Sequence, residues 1–335
     1  MPAVIIAAGH NLRKALSAGN AGARGRRTMA LYAFDGTGQR DDQPELENTG
    51  DTNVARFFSA YRPSDVHLPI DDRHNHYQRG IGSAGLFRRA LGTITGFGGR
   101  TFVRRAMNKL EDNIERNDTI VDVVGFSRGA ALALDFVNEI ASGRVKLPDG
   151  SVPTVRFLGL WDCVPSFGIA ISPLNIGWDL DLPTNVKRCC HAMALDERRG
   201  NFHLHRPKVL GQAAPGRLTE VWFRGVHSDV GGSGAKEVPP RGLASIPLNW
   251  MFVNAKAAGL DFDPAVVAAN KALAHAEAVM LDNVDPIETS FRHLRAEEVI
   301  HESVTSRDKC NNPLAGCAVV SDTGESRGTF GARTV

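Results

Sequence analysis

The chain has 335 residues, 42% of them apolar and 23% charged, with a formal net charge of +2. This is the composition of an ordinary globular protein, long enough for one large α/β domain or two smaller ones. The near-neutral balance offers no electrostatic footprint for nucleic acid. No run approaches the roughly 18 consecutive apolar residues that a membrane span requires.

Residues 1–28 carry Arg13, Lys14, Arg24, Arg26 and Arg27 among Gly and Ala, with no acid, and read as a loose basic leader or a docking helix. The apolar start has no basic stretch before it, so it does not read as a signal peptide. Residues 29–34 form a buried-type strand that ends in the turn Asp35-Gly36-Thr37-Gly38. Polar residues 40–51 make a surface loop, and a helix follows with Asp51 or Thr52 as its N-cap. Residues 77–99 are glycine-rich without a Walker pattern and suggest a flexible loop region beside a site. Phe102, Val103, Met107, Leu110 and Ile114 recur at helical spacing and predict a core-facing helix.

The apolar run 119–124 leads into Gly125-Phe126-Ser127-Arg128-Gly129, and a helix-compatible stretch, 130–137, follows. Strand, G-x-S-x-G and helix make a nucleophile elbow, in which glycines permit a turn that lifts the serine hydroxyl into a cleft. The Arg128 N–H, at the start of the helix, is then aimed at a developing oxyanion. Strand 155–161 ends at Asp162, and strand 218–223 is followed by Gly225-Val226-His227. Between them, 165–183 is apolar but irregular, and 186–199 reads as a helix. Residues 247–281 read as helical with a break near Gly259. The Gly/Ser/Thr-rich residues 316–335 read as a flexible tail. Alternating strands and helices predict an α/β fold: three layers around a mostly parallel central sheet.

Ser127, Asp162 and His227 each fall just past the end of a predicted strand, where parallel sheets gather side chains into one crevice. A serine needs a base near neutral pKa, and the base needs a carboxylate to fix its tautomer. The order Ser, Asp, His is that of α/β-hydrolases. Asp229, two residues from His227, stands as the rival acid. Asp35, Gly36 and Thr37 read as an oxyanion-hole or site-shaping turn, and Arg128 as either a lipid-phosphate contact or a structural ion pair. His74, His76, His203 and His205 read as solvated loop histidines rather than metal ligands, so no metal or other cofactor is expected. Five cysteines without a C-x-x-C argue against a disulfide framework and for synthesis in a reducing cytoplasm.

These residues carry a resemblance. The segments are Phe34-Asp35-Gly36-Thr37, Asn53-Val54-Ala55-Arg56, residues 77–82, Gly125 to Ala130, Gly159-Leu160-Trp161-Asp162-Cys163-Val164, residues 191–199, residues 222–232, Leu248-Asn249-Trp250-Met251 and His301-Glu302-Ser303-Val304. In the same order they resemble the α/β-hydrolase-like domain of type VI secretion lipase effectors, over about residues 29–315. The resemblance implies Ser127 as nucleophile, Asp162 as acid, His227 as base, and esterase or phospholipase A activity on glycerophospholipids. It further implies export by a type VI system without a signal peptide, from the cytoplasm of the producing cell. Peripheral membrane contact, an immunity protein and a component of the secretion apparatus are the partners it suggests. Phe167, Ile169, Leu174 and Trp178 in the 165–183 insert are the expected lid or acyl pocket. A carboxylesterase of small soluble esters and a non-catalytic binding module are the two other readings of the same residues.

Overall fold

The computed structural model describes residues 29–36, 52–65, 68–69, 73–80, 97–165, 178–200, 202–212, 214–232, 242–274, 292–305 and 315–331. The leader 1–28, the loop 40–51 and most of the glycine-rich 77–99 region lie outside them.

The strand of residues Met29–Phe34 (β1) shows why the fold has three layers. Its even-numbered side chains, Ala30, Tyr32 and Phe34, enter one apolar cluster, and Leu31 and Ala33 enter another on the opposite face. A strand buried on both faces reads as a continuous apolar run, as this one does. Helix α1 (Asn53–Ala60) follows β1. Thr52 caps it, its Oγ1 accepting the Ala55 N–H at 3.1 Å while its hydroxyl donates to Asp35 Oδ2 at 2.8 Å. The cap thus ties the helix start to the end of β1. Short strands β2 (Tyr61–Arg62) and β3 (His76–Gln78) come next, then helix α2 (Phe97–Glu115).

The centre of the sheet is β4 (Ile120–Phe126), which feeds helix α3 (Arg128–Ala141), and β5 (Val155–Trp161). Strands β6 (Cys189–Ala194) and β7 (Leu218–Phe223) extend it, and a one-turn helix, α4 (His227–Gly231), follows β7. Helix α5 (Gly242–Ala257), strand β8 (Asp261–Phe262) and helix α6 (Pro264–Ala274) lead to β9 (Val299–His301), β10 (Ala318–Val320) and β11 (Ser326–Thr329). The sheet order is β11-β10-β9-β7-β6-β5-β4-β1-β3, parallel except for β10 with β11. Helices α2 and α3 pack on one face around Leu110, Phe136 and Tyr32; α1 and α5 cover the other around Phe57, Trp161 and Trp250. Each fully buried large side chain of this kind contributes about 1.5–3 kcal/mol.

Two expectations are corrected. Residues 186–199 are not helical: β6 runs through them, and all six of its residues are buried. Ala, Met and Leu favour helix locally, but the stretch is hydrogen-bonded between β5 and β7, and tertiary pairing overrides propensity. Residues 318–320 and 326–329 of the expected flexible tail form β10 and β11: β10 pairs with β9 beside buried Cys317 and Val319, β11 pairs with β10, and residues 332–335 lie outside the described set. The helical stretch read over 247–281 has its break near Gly259, where β8 separates α5 from α6; residues 275–281 lie outside the described set.

Candidate active site

The turn between β4 and α3 is a strained elbow. Ser127 has φ 57° and ψ −124°, a region that side-chain-bearing residues rarely occupy. Two glycines make it possible. A Cβ at Gly129 would lie 2.1 Å from the Phe34 carbonyl oxygen, and one at Gly125 would lie 2.5 Å from the Gly129 carbonyl oxygen. The Ser127 N–H donates to the Trp161 carbonyl at 3.0 Å, and its own carbonyl accepts the Val164 N–H at 3.3 Å, so the elbow is fastened to the end of β5.

Asp162 stands in the turn that ends β5, with φ 39° and no exposed surface. Its neighbour is held by fully buried His191 of β6, whose Nε2 accepts the Cys163 N–H at 3.2 Å and whose Nδ1 lies 3.1 Å from Glu220 Oε1. His227 opens α4, beyond β7. The three side chains, from separate strand ends, form one line: Ser127 Oγ is 2.8 Å from His227 Nε2, and His227 Nδ1 is 2.6 Å from Asp162 Oδ2. In this arrangement an imidazole can take a hydroxyl proton while a carboxylate orients it. Asp229 is placed otherwise: its Oδ2 accepts the Val226 N–H at 2.9 Å and caps α4.

The His227 ring lies between Phe126, with centroids 4.7 Å apart, and Phe202, at 4.8 Å and nearly edge-on. The Arg199 guanidinium covers Phe202 at 3.6 Å. Below the ring, Glu197 Oε2 accepts the His227 N–H at 3.1 Å, and Glu197 Oε1 accepts the Arg198 and Arg199 N–H groups. Burial would raise the Glu197 carboxyl, but the ion pair and hydrogen bonds of Arg199 outweigh it and hold it down at about 2. The Asp162 carboxylate also accepts the Ala194 N–H at 2.8 Å and a bidentate pair from Arg292, at 2.5 and 3.0 Å. Burial would raise Asp162 too. The Arg292 charge and the contact with His227 prevail and keep it well below the usual carboxylate range. Burial lowers His227 from its ordinary 6.5, against the opposing pull of Asp162. The ring is therefore neutral, and able to accept a proton, at neutral pH.

Among the other residues singled out by sequence, Asp35 and Gly36 end β1, as expected. Asp35 Oδ2 accepts the Tyr77 hydroxyl at 2.5 Å and the Thr52 hydroxyl, and Asp35 Oδ1 takes up the Gly36 N–H at 2.6 Å. The Gly36 N–H is thus engaged by its own neighbour. Thr37, Phe167, Ile169 and Leu174 lie outside the described residues. Trp178 packs against the cluster that contains Leu132 of α3, beside Gly99 and 5.7 Å from the Arg100 guanidinium. Arg128 is half-buried, and the loss of solvent pushes its guanidinium down to about 10. No group of three or more His, Cys, Asp or Glu suited to a metal occurs among the described residues, and none of their helices is long and apolar enough to cross a membrane.

Sequence reasoning missed Glu197, Phe202 and Arg292 as members of the site. Glu197 sits in a segment noted for its resemblance but given no role, and Arg292 carries no local signal. A second trio also emerges: His301 Nδ1 is 2.8 Å from Ser303 Oγ, and its Nε2 is 3.0 Å from Asp322 Oδ1. Here the same Nδ1 accepts the Ser303 N–H at 3.2 Å, which makes His301 the cap of the short 3₁₀ turn Glu302–Val304.

Among solved structures, an uncharacterized protein from Pseudomonas aeruginosa superimposes with a TM-score of 0.52 at 20% identity, over 82% of this chain and 54% of that one. The chain thus spans about half the length of that protein. The Tle1 effector, in a structure bound to the VgrG spike of the type 6 secretion system, superimposes with a TM-score of 0.50 at 17% identity, over 75% of this chain and 80% of that one. At these identities the likeness is one of fold. No curated protein matches the chain. The model of the Tle1-like phospholipase effector catalytic domain of type VI secretion matches residues 29–142 and 134–254, and the chain belongs to that family.

Proposed function

We propose that this chain is a serine ester hydrolase of the phospholipase A type, cleaving acyl esters of glycerophospholipids through an acyl-enzyme. The observation that carries the reading is the hydrogen-bonded line from Ser127 through His227 to Asp162, at the ends of β4, β7 and β5. In the proposed reaction Ser127 Oγ attacks the acyl carbonyl as His227 Nε2 takes its proton. The tetrahedral oxyanion faces the N-terminus of α3, where the Arg128 N–H is the donor we assign. Collapse breaks the ester bond, and His227 returns the proton to the departing lysophospholipid oxygen. A water molecule, deprotonated in turn by His227, then releases the fatty acid and restores Ser127.

Family membership supports a role as a type VI effector. We therefore also propose delivery by the secretion apparatus, with a spike protein as the carrier, and protection of the producing cell by an immunity protein. The Tle1 structure with its VgrG spike is the precedent for the first of these.

The test is hydrolysis of phosphatidylethanolamine–phosphatidylglycerol vesicles by the wild type and by S127A, with products separated by mass spectrometry. The proposal expects equal amounts of fatty acid and lysophospholipid from the wild type and none above background from S127A. Turnover of short soluble esters alone would shift the assignment to a small-molecule carboxylesterase. Wild-type rates in S127A would remove the serine mechanism.

A further inference from the structure

Arg292 lies in a segment before β9, outside the residues that match the family model. Its side chain is 11% exposed, and it reaches 130 residues back along the chain to the Asp162 carboxylate. Nη1 donates to Asp162 Oδ1 at 2.5 Å and to the Ala194 carbonyl at 2.9 Å. Nη2 donates to Asp162 Oδ2 at 3.0 Å and to the Phe202 carbonyl at 3.0 Å. One planar group therefore joins the acid at the β5 end, the end of β6, and the loop whose Phe202 ring flanks His227. Only a guanidinium offers this fork of donors; an ammonium is a single point of charge.

The consequence is electrostatic as well as geometric. The Asp162 carboxylate is what stabilises a proton on His227, and Arg292 places a permanent positive charge on the far side of that carboxylate. Of the other charged groups near His227, Glu197 accepts its N–H, Arg199 lies over the Phe202 ring that flanks it, and Asp229 caps the helix it opens. Arg292 is bonded to the carboxylate that the ring itself contacts.

We infer that Arg292 is a positioning residue of the Ser127–His227–Asp162 line, fixing the carboxylate in the plane that meets the ring and opposing the build-up of positive charge on His227. This rests on the serine-hydrolase reading. Asp162 with φ 39° and no exposure is a costly placement for a carboxylate. Arg292 lets it stay ionised there, and in exchange weakens its pull on the imidazole proton. The imidazole is then a neutral acceptor over a wider range of pH.

The experiment compares the pH dependence of kcat/KM for a soluble p-nitrophenyl ester in the wild type, R292K and R292Q, with S127A as the reference and thermal unfolding as a check on folding. Activity rises with pH as His227 loses its proton. Removing the Arg292 charge leaves Asp162 uncompensated, favours the protonated ring and moves the acidic limb of R292Q to higher pH by about one unit or more. R292K keeps the charge but loses the fork, so its limb stays with the wild type while kcat falls by about tenfold at unchanged KM. A limb in folded R292Q that coincides with the wild type would overturn the inference, however far its stability drops. If R292Q does not fold, R292K decides: wild-type kcat there overturns it. Either failure is separate from a failure of the serine reading, which is seen only in S127A retaining activity.

Discussion

Replacing Glu197 by Gln removes the one carboxylate that holds the backbone of His227. Glu197 is 2% exposed and accepts five hydrogen bonds: from the Arg198 and Arg199 N–H groups, from two nitrogens of the Arg199 guanidinium, and from the His227 N–H. These hold its carboxyl at about 2 against an ordinary 4.5. At 1.36 kcal/mol per unit, that gap corresponds to roughly 3 kcal/mol of native stability. Because the folded-state value is depressed, the contribution is fully present above 4.5 and is lost as the pH falls towards 2. Gln keeps an acceptor oxygen but no charge. E197Q is therefore expected to be less stable than the wild type by up to about 3 kcal/mol at pH 7, and the difference should narrow by roughly 1 kcal/mol at pH 4. Urea unfolding at the two pH values, with m-values compared, measures both numbers. A difference that stays constant or widens on acidification would refute the assignment of a charged, buried Glu197.

Three further outcomes follow from the same geometry. G129A meets backbone atoms, the Phe34 and Asp35 carbonyl oxygens, that cannot swing aside; a loss of about 3 kcal/mol is expected in chemical unfolding, together with loss of activity. D162N should lower kcat by roughly 10³–10⁴-fold in ester hydrolysis, and should also destabilise the fold by about 3–5 kcal/mol, because Arg292 is left buried without its counter-charge. S303A should leave ester turnover unchanged in the same assay, since the His301 trio is a cap; a fall of tenfold or more would reopen that trio as a second site.

The parts of this fold that were legible share one trait: their signal is local. Strands β1, β4 and β5 are mostly apolar and β7 ends in Val-Trp-Phe, and the ends of β4, β5 and β7 bring Ser127, Asp162 and His227 together across 100 and 65 residues of chain. The cap of α1 was legible to within two residues, Asp51 or Thr52, for the same reason. Strand β6 was not, because Cys-Cys-His-Ala-Met-Ala has no period-2 alternation and favours a helix until β5 and β7 enclose it. Strands β10 and β11 are three and four residues long; β10 gains its order from pairing with β9, and β11 from pairing with β10, rather than from their own composition. The sequence favoured Asp162, at a strand end, as the partner of His227 and left Asp229, two residues from it, as the rival. Only the structure distinguishes the carboxylate that meets the ring from the one that caps α4. Arg292, bonded to an acid 130 positions away, had no signature to read.

The activation of Ser127 by His227 can be measured by intact-protein mass spectrometry after exposure to a fluorophosphonate, with peptide mapping of the adduct in the wild type and in H227A. Fluorophosphonates report an activated serine and not merely an exposed one. A single adduct on Ser127 in the wild type, forming at least a hundredfold more slowly in H227A, is the expected result. No adduct, an adduct on another residue, or equal rates in the two proteins would contradict a serine hydrolase at this site.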